Sequence, residues 1–246
     1  MRRARCLSVV SAAMRERRPA RTSAARTVSI RRPVRTPAPS GAIEHLRRAD
    51  PVLREVIDRV GSIELTTEPD LWWSLVDAIM SQQLSVKAAS TIIGRLEALG
   101  ARGRPAPAEI LAADDDALRA VGLSRAKVRY VKDLAARWLD GSLHHARIPA
   151  MTDEEVIAEL TQVKGIGTWT AEMILIFTLG RPDVLPVDDL AIRVAAQQHY
   201  GLAERPGRDE LLRIGEPWRP WRTLASRYLW RSLGKSPPVG PPPEPS

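Results

Sequence analysis

From Asp70 to Leu233 the chain is a succession of short segments whose apolar residues recur every three or four positions, each closed by glycine, proline or a polar turn. A helix explains that repeat, because at 3.6 residues per turn positions i, i+3, i+4 and i+7 share one face. No stretch sustains the period-two alternation of a half-buried strand. The pattern predicts an all-α protein. Its expected helices are Asp70–Met80, Val86–Leu99, Ala108–Ala113, two within "DDDALRAVGLSRAKVRYVKDLAARWLDG", Asp153–Val163, Trp169–Leu179, Leu190–Tyr200, Asp209–Ile214 and Trp221–Leu233. Acidic residues before the first turn and glycines after the last mark several of the ends.

Both termini depart from this pattern. Residues 1–41 hold eleven arginines, no lysine and one acid, Glu16, with no apolar period. This predicts a disordered basic tail. Three readings compete, first a bland upstream extension, then an arm for nucleic acid, then an organelle leader, and translation could start at Met1 or at Met14. Residues 235–246, "KSPPVGPPPEPS", are half proline and are expected to be extended and solvated. The tail carries a net +10 of the chain's +8, which leaves −2 for residues 42–246. The high isoelectric point therefore belongs to the tail, and any nucleic-acid binding by the body must come from a local site.

At 246 residues the chain is long enough for one substantial core or two small ones. There is no apolar run of the roughly 18 residues that would span a membrane. A single cysteine, Cys6, excludes an intrachain disulfide framework or a cysteine-ligated cluster and fits a reducing compartment. Four histidines without ligand spacing argue against side-chain metal binding.

Chemistry concentrates between Leu160 and Ala195, "LTQVKGIGTWTAEMILIFTLGRPDVLPVDDLAIRVA". Two glycines, Gly165 and Gly167, stand immediately before a helix. Glycine admits positive φ and lets another backbone approach closely, and the first N–H groups of the helix are unpaired. Lys164, Gly165, Ile166, Gly167 and Thr168 thus form a candidate phosphate site, although an ordinary helix-to-helix turn would also use these glycines. About twenty residues on, Asp188 and Asp189 open the next helix. One of them suffices as a cap. The other is free for chemistry, as a fixed carboxylate that stabilises a developing cation or polarises water. "VGLSRAK" offers a second backbone-contacting turn through Ser124, Arg125 and Lys127, with a solvated helix start as the plain alternative.

The order helix, "VKGIG" hairpin, helix, "PVDD", helix resembles the helix-hairpin-helix DNA glycosylases, and within them the alkylbase branch. "IMSQQLSVKAAS" at 79–90, "GIGTWTAEMILIFTLGR" at 165–181 and "EPWRPWRTLASRYLWRSL" at 216–233 support that branch, and the resemblance covers about residues 45–234. It implies a compact two-lobed helical form. A middle lobe would span about 75–185 with the hairpin at 163–168, and a second lobe would be built from about 42–74 and 186–234. It also implies double-stranded DNA with alkylated bases as partner, a hairpin gripping the DNA backbone, and a monovalent cation held by hairpin main-chain carbonyls as the one candidate cofactor. Matching "PVD" to oxidised-base relatives selects Asp188 as catalytic, whereas matching "DD" to the alkylbase branch selects Asp189, the preferred reading.

Strand-cleaving relatives carry a lysine where this chain has Trp169, which implies a monofunctional enzyme. Trp230 matches the aromatic lining the alkylbase pocket. Trp72, Trp73, Trp218 and Trp221 are expected mainly in the core, with Trp218 kept as a further pocket candidate. In relatives the turn equivalent to Ser81–Ser85 fills the gap left by the extruded base, which makes Gln82, Gln83 and Leu84 wedge candidates. A cationic alkylpurine suits an indole face, an attraction of roughly 0.5–2 kcal/mol, and needs little general-acid help. The expected activity is release of 3-methyladenine and 7-methylguanine by a monomer in the bacterial cytoplasm at the nucleoid. Two rivals remain: a non-enzymatic hairpin module binding distorted DNA, and a glycosylase for hypoxanthine or ethenoadenine.

Overall fold

The computed structural model describes residues 33–101 and 103–234. Among them the chain forms β1 (Val34–Pro37), α1 (Ser40–Ala49), α2 (Pro51–Val60), β2 (Glu64–Thr67), α3 (Leu71–Ser81), α4 (Val86–Glu97), α5 (Pro107–Ala112), α6 (Asp115–Ala120), α7 (Arg125–Asp140), α8 (Asp153–Leu160), α9 (Thr168–Phe177), α10 (Leu190–Tyr200), α11 (Arg208–Gly215) and α12 (Arg222–Ser232). Each helix expected from periodicity is present. Two more, α1 and α2, occupy the stretch before Asp70.

The fold is helical as expected, with one small two-stranded sheet added to it. β1 and β2 pair antiparallel, Val34 opposite Thr67 and Pro37 opposite Glu64. Four residues give too few alternations to stand out in a sequence. β1 and the start of α1 fall within the stretch expected as tail. The rest of that tail (1–32) and the proline-rich end (235–246) lie outside the described residues. Among the described residues no helix is long and apolar enough to cross a membrane.

Side chains cap several of the helix starts. Asp70 accepts from the Trp73 N–H at the head of α3, Ser85 from Ala88 at α4, and Ser124 from Lys127 at α7. α8 opens with a reciprocal box in which Thr152 caps Glu155 and the Glu155 carboxylate returns to the Thr152 N–H. Each such cap is worth about 1 kcal/mol.

Asp50 does more than cap α2. It accepts from the Val52 and Leu53 N–H groups, from the Trp218 indole at 2.8 Å and from the Tyr200 hydroxyl. One buried carboxylate therefore ties α2 to α10 and to the 3-10 turn Glu216–Trp218. Burial, then the Asp50 contact, pushes the Tyr200 hydroxyl's pKa up, so it stays a donor.

Packing follows two groups. α1 and α2 lie against α10 and α12, while α5 and α6 pack on α7, α3 on α4, α7 and α9, and α8 on α9. A single hydrophobic cluster runs through both groups. Helix α9 is its spine, with every residue from Trp169 to Ile176 buried. Fully burying one large apolar side chain contributes roughly 1.5–3 kcal/mol, so α9 is held by packing rather than by propensity.

Candidate active site

A cavity of about 820 Å³ opens where α3, α9, α12 and β2 meet. Its apolar side is Trp169, Met173, Ile174 and Phe177 from α9 with Trp230 from α12. Phe177 and Trp230 stack with ring centroids 5.7 Å apart. Opposite stands α3, which presents Trp73, Ser74, Asp77, Ala78 and Ser81. β1 and β2 border it through Pro33, Arg35, Glu64 and Thr66. The Arg227 guanidinium lies over Phe177 at 4.5 Å, donates to the Thr66 carbonyl, and is lowered to a pKa of about 10 by burial, so it stays cationic at neutral pH.

The two adjacent aspartates occupy different worlds. Asp189 is only 2% exposed. Its Oδ1 accepts from the Ile192 N–H at 2.8 Å and the Trp230 indole at 3.0 Å, and its Oδ2 from the Trp169 indole at 2.8 Å. Three of roughly four acceptor positions are thus filled. Asp189 is at once the cap of α10 and the anchor of two cavity indoles. The expectation that one aspartate caps and the other is free for chemistry is therefore corrected: a single residue does the capping and holds the site. Asp188, with a side chain 59% exposed, caps nothing and pairs with Arg208 at 2.9 Å.

Glu172, one turn into α9 and 8% exposed, completes the acidic neighbourhood. Burial first, then the charges of Asp188 and Asp189, push its carboxyl up to about 7 against a partial offset from Arg208. Nothing in the linear pattern marked it, because the sequence does not show that α9 turns this side chain toward the aspartates.

The hairpin joins α8 to α9. Gly165 has φ +84°, and a Cβ there would meet the Tyr130 ring at 2.3 Å, so both backbone and space demand glycine. Gly167 differs. It has φ −96°, and a Cβ would meet nothing within 4 Å, so its bare Cα leaves the head of α9 open to solvent. No side chain caps that head, leaving the first N–H groups of α9 from Thr168 onward pointing outward. Lys164 is tied back, its N–H and its ammonium both reaching Asp133 on α7.

The Ser81–Ser85 turn abuts this hairpin. Gln82 donates its amide to the Gly165 carbonyl at 2.7 Å, so it is a strut rather than a free wedge. Leu84 is half-buried. Gln83 is exposed at φ +57°, a left-handed conformation uncommon for any residue but glycine. Lys127 turns inward, its ammonium donating to the Met80 and Gln82 carbonyls, and burial lowers its pKa. That corrects its expected place beside phosphate. Ser124 is spent as the α7 cap, while Arg125 is exposed beside it.

Trp218 is a second correction. It is fully buried on Asp50, away from the cavity lining, in a turn that packs on α1 and α11. Conversely Trp73, expected in the core, forms part of the cavity wall beneath Arg104. Also missed were Ser74, Asp77, Phe177 and Arg227. A signal existed for two of them: "DLWWSLVDAIMS" is apolar nearly all round yet carries Ser74, Asp77 and Ser81 at helical spacing.

Comparison with known proteins bears on this geometry. Residues 76–220 match the model of the HhH-GPD superfamily base excision DNA repair proteins. DNA-3-methyladenine glycosylase 1 of Schizosaccharomyces pombe is 39% identical over 160 residues, 64% of this chain and 70% of the relative. The solved structure of a 3-methyladenine DNA glycosylase from that yeast with abasic DNA superposes at TM-score 0.70, with 34% identity, over 80% of this chain and 98% of that one. A DNA-3-methyladenine glycosidase from Bacillus halodurans superposes at 0.74, with 36% identity, over 82% and 93%. On these matches the chain is a member of the HhH-GPD superfamily of base excision DNA repair proteins.

Proposed function

We propose that this chain is a monofunctional DNA-3-methyladenine glycosylase, which extrudes an alkylated purine from duplex DNA and hydrolyses its N-glycosidic bond. One observation carries the reading: Asp189, anchored to the indoles of Trp169 and Trp230, stands behind the aromatic wall of a cavity next to the hairpin. The relatives named for this activity support it.

The residues divide the work. Backbone N–H groups at Gly167–Thr168 and the head of α9 take a DNA phosphate, aided by the open space at Gly167. Gln83 enters the stack behind the departing base and offsets part of the few kcal/mol that extrusion costs. Trp230, Trp169 and Phe177 receive a cationic purine. Water then attacks the sugar as the base leaves, and the fixed Asp189 carboxylate stabilises the oxocarbenium-like cation across a low-dielectric wall. A monovalent cation would fit the hairpin main chain, although the Gly165 carbonyl is already bonded to Gln82.

A monofunctional outcome rests on amine chemistry. Strand cleavage through a Schiff base needs a neutral amine at the sugar. Among the described residues no lysine lines the cavity, and the nearby Lys127 is engaged by two carbonyls.

The test is release of free base from methylated duplex DNA by the purified protein. The expected products are 3-methyladenine, 7-methylguanine and an intact abasic strand that breaks only after alkali. Asp189→Asn should lower single-turnover release by about 10²–10³-fold while keeping affinity for an abasic-site analogue. Full activity in that variant with loss in Asp188→Asn would move catalysis to Asp188. No base released from any lesion would leave a DNA-binding module.

A further inference from the structure

One face of α3 brings polar side chains into the cavity without satisfying them. Ser74, Asp77, Ala78 and Ser81 follow one face of α3 into the cavity. Among the described residues Asp77 receives one hydrogen bond, from the Ser81 hydroxyl to Oδ1 at 3.3 Å, and its Oδ2 has no donor. The Ser74 hydroxyl, in a residue 8% exposed, has no partner. Arg104, the cation nearest in influence, is committed elsewhere: it bonds Glu68 at 3.0 Å and lies 3.6 Å from both Asp70 and Glu97. Of the other arginines that line the cavity, Arg35, Arg227 and Arg231, Arg227 gives its Nη2 to the Thr66 and Ile176 carbonyls.

The two helices run past each other in a way that places these groups at base depth. Ser81 adjoins the Gln82 strut to the hairpin, so the C-terminal end of α3 faces the DNA side, as does Trp169 at the start of α9. Asp77 and Ser74 sit one and two turns further in, where Phe177 and Trp230 close the opposite wall. A purine stacked on those rings would share the cavity with Asp77 and Ser74.

We propose that Asp77 is a specificity-determining residue that reads the N–H edge of the extruded base. An ionised carboxylate accepts hydrogen bonds and donates none. It therefore favours bases that keep an N–H on that edge, the exocyclic amine of 3-methyladenine or the ring N–H of 7-methylguanine. It disfavours 1,N6-ethenoadenine, in which N6 has become an acceptor and the bridgehead N1 carries no hydrogen. Burial raises the Asp77 pKa, meaning that the ionised form lacks solvation that a cationic, N–H-bearing base would restore. A site built to hydrogen-bond a group of its substrate rejects analogues lacking that group far more strongly than a merely apolar pocket does.

This assignment rests on the glycosylase reading, and the experiment separates the two. Single-turnover release would be measured for 3-methyladenine in methylated DNA and for an ethenoadenine oligonucleotide. The wild type, Asp77→Asn and Asp77→Ser would be compared, using the ratio of the two rates, which is insensitive to the fraction of folded enzyme. The wild type should prefer 3-methyladenine. Asp77→Asn, which can donate, should reduce that ratio by about tenfold or more, gaining on the etheno base. Asp77→Ser should lose 3-methyladenine activity without the etheno gain. An unchanged ratio in both variants, with the wild type active, overturns the role of Asp77 alone. A wild type that releases neither base overturns the enzyme and this assignment together.

Discussion

Replacing Glu172 by glutamine is expected to stabilise the protein, and only above a definable pH. In the unfolded chain this carboxyl ionises near its ordinary value of 4.5, whereas in the fold it is held protonated up to about 7 by burial and by the charges of Asp188 and Asp189. Between those values the native state keeps a proton that the unfolded state has lost. Deprotonation then favours unfolding, and stability falls as pH rises through the window. Below 4.5 both states are protonated and the cost vanishes; above about 7 it is constant. The gap of about 2.5 pH units, at 1.36 kcal/mol each, corresponds to roughly 3 kcal/mol. For a domain of this size that is about 6–12 °C in Tm. Glutamine keeps the shape and removes the titration. Urea unfolding of the wild type and Glu172→Gln from pH 4.5 to 8.5 should give a difference near zero at the acid end, rising to a plateau above pH 7. A difference independent of pH, or one in which the wild type gains on the variant as pH rises, would refute the argument. Arg208→Ala adds a check on cause: removing that cation should move the midpoint of the window upward, because Arg208 opposes the shift.

The remaining expectations concern the frame and the hairpin. Asp50→Ala removes an α2 cap and strands the buried donors of Trp218 and Tyr200, so denaturant unfolding should show a loss of about 3–5 kcal/mol. A loss under 1 kcal/mol would mean the two donors find water. The hairpin glycines should separate fold from binding. Gly165→Ala drives a methyl into Tyr130 at positive φ and should lower Tm, whereas Gly167→Ala should leave Tm unchanged and weaken binding to abasic-site DNA. Equal DNA affinity of wild type and Gly167→Ala would remove the hairpin from the interface.

What the sequence exposed was local, and what it hid was assembled across the chain. Caps, glycine stops and 3.6-residue periodicity are written within ten residues of one another, so the helices from Asp70 onward were legible, as were the hairpin and the aspartate pair. The strands Val34–Pro37 and Glu64–Thr67 were not, since each is too short to show alternation and they pair across two intervening helices. The cavity is the extreme case. Its walls come from segments near residues 66, 74–81, 169–177 and 227–230, and only tertiary packing decides which side of a buried helix faces a void. Trp218 and Trp73 show the consequence. Both are tryptophans in apolar surroundings, yet one is fastened to Asp50 in the core and the other walls the cavity. Residue type favoured neither outcome.

The aspartate pair shows why capping and chemistry are poor alternatives to weigh against each other. A catalytic carboxylate must be ionised, motionless and shielded from water, and a helix N-terminus supplies those conditions together. The Ile192 N–H fixes Oδ1 at the head of α10. The two indoles then exclude water while donating to the same group. A carboxylate freed from capping, like Asp188, ends on the surface against an arginine, where solvent screens its charge. Asp189 is fit for chemistry because it caps, and a substitution that spared the cap but lost the charge, Asp189→Asn, is the one that divides the two roles.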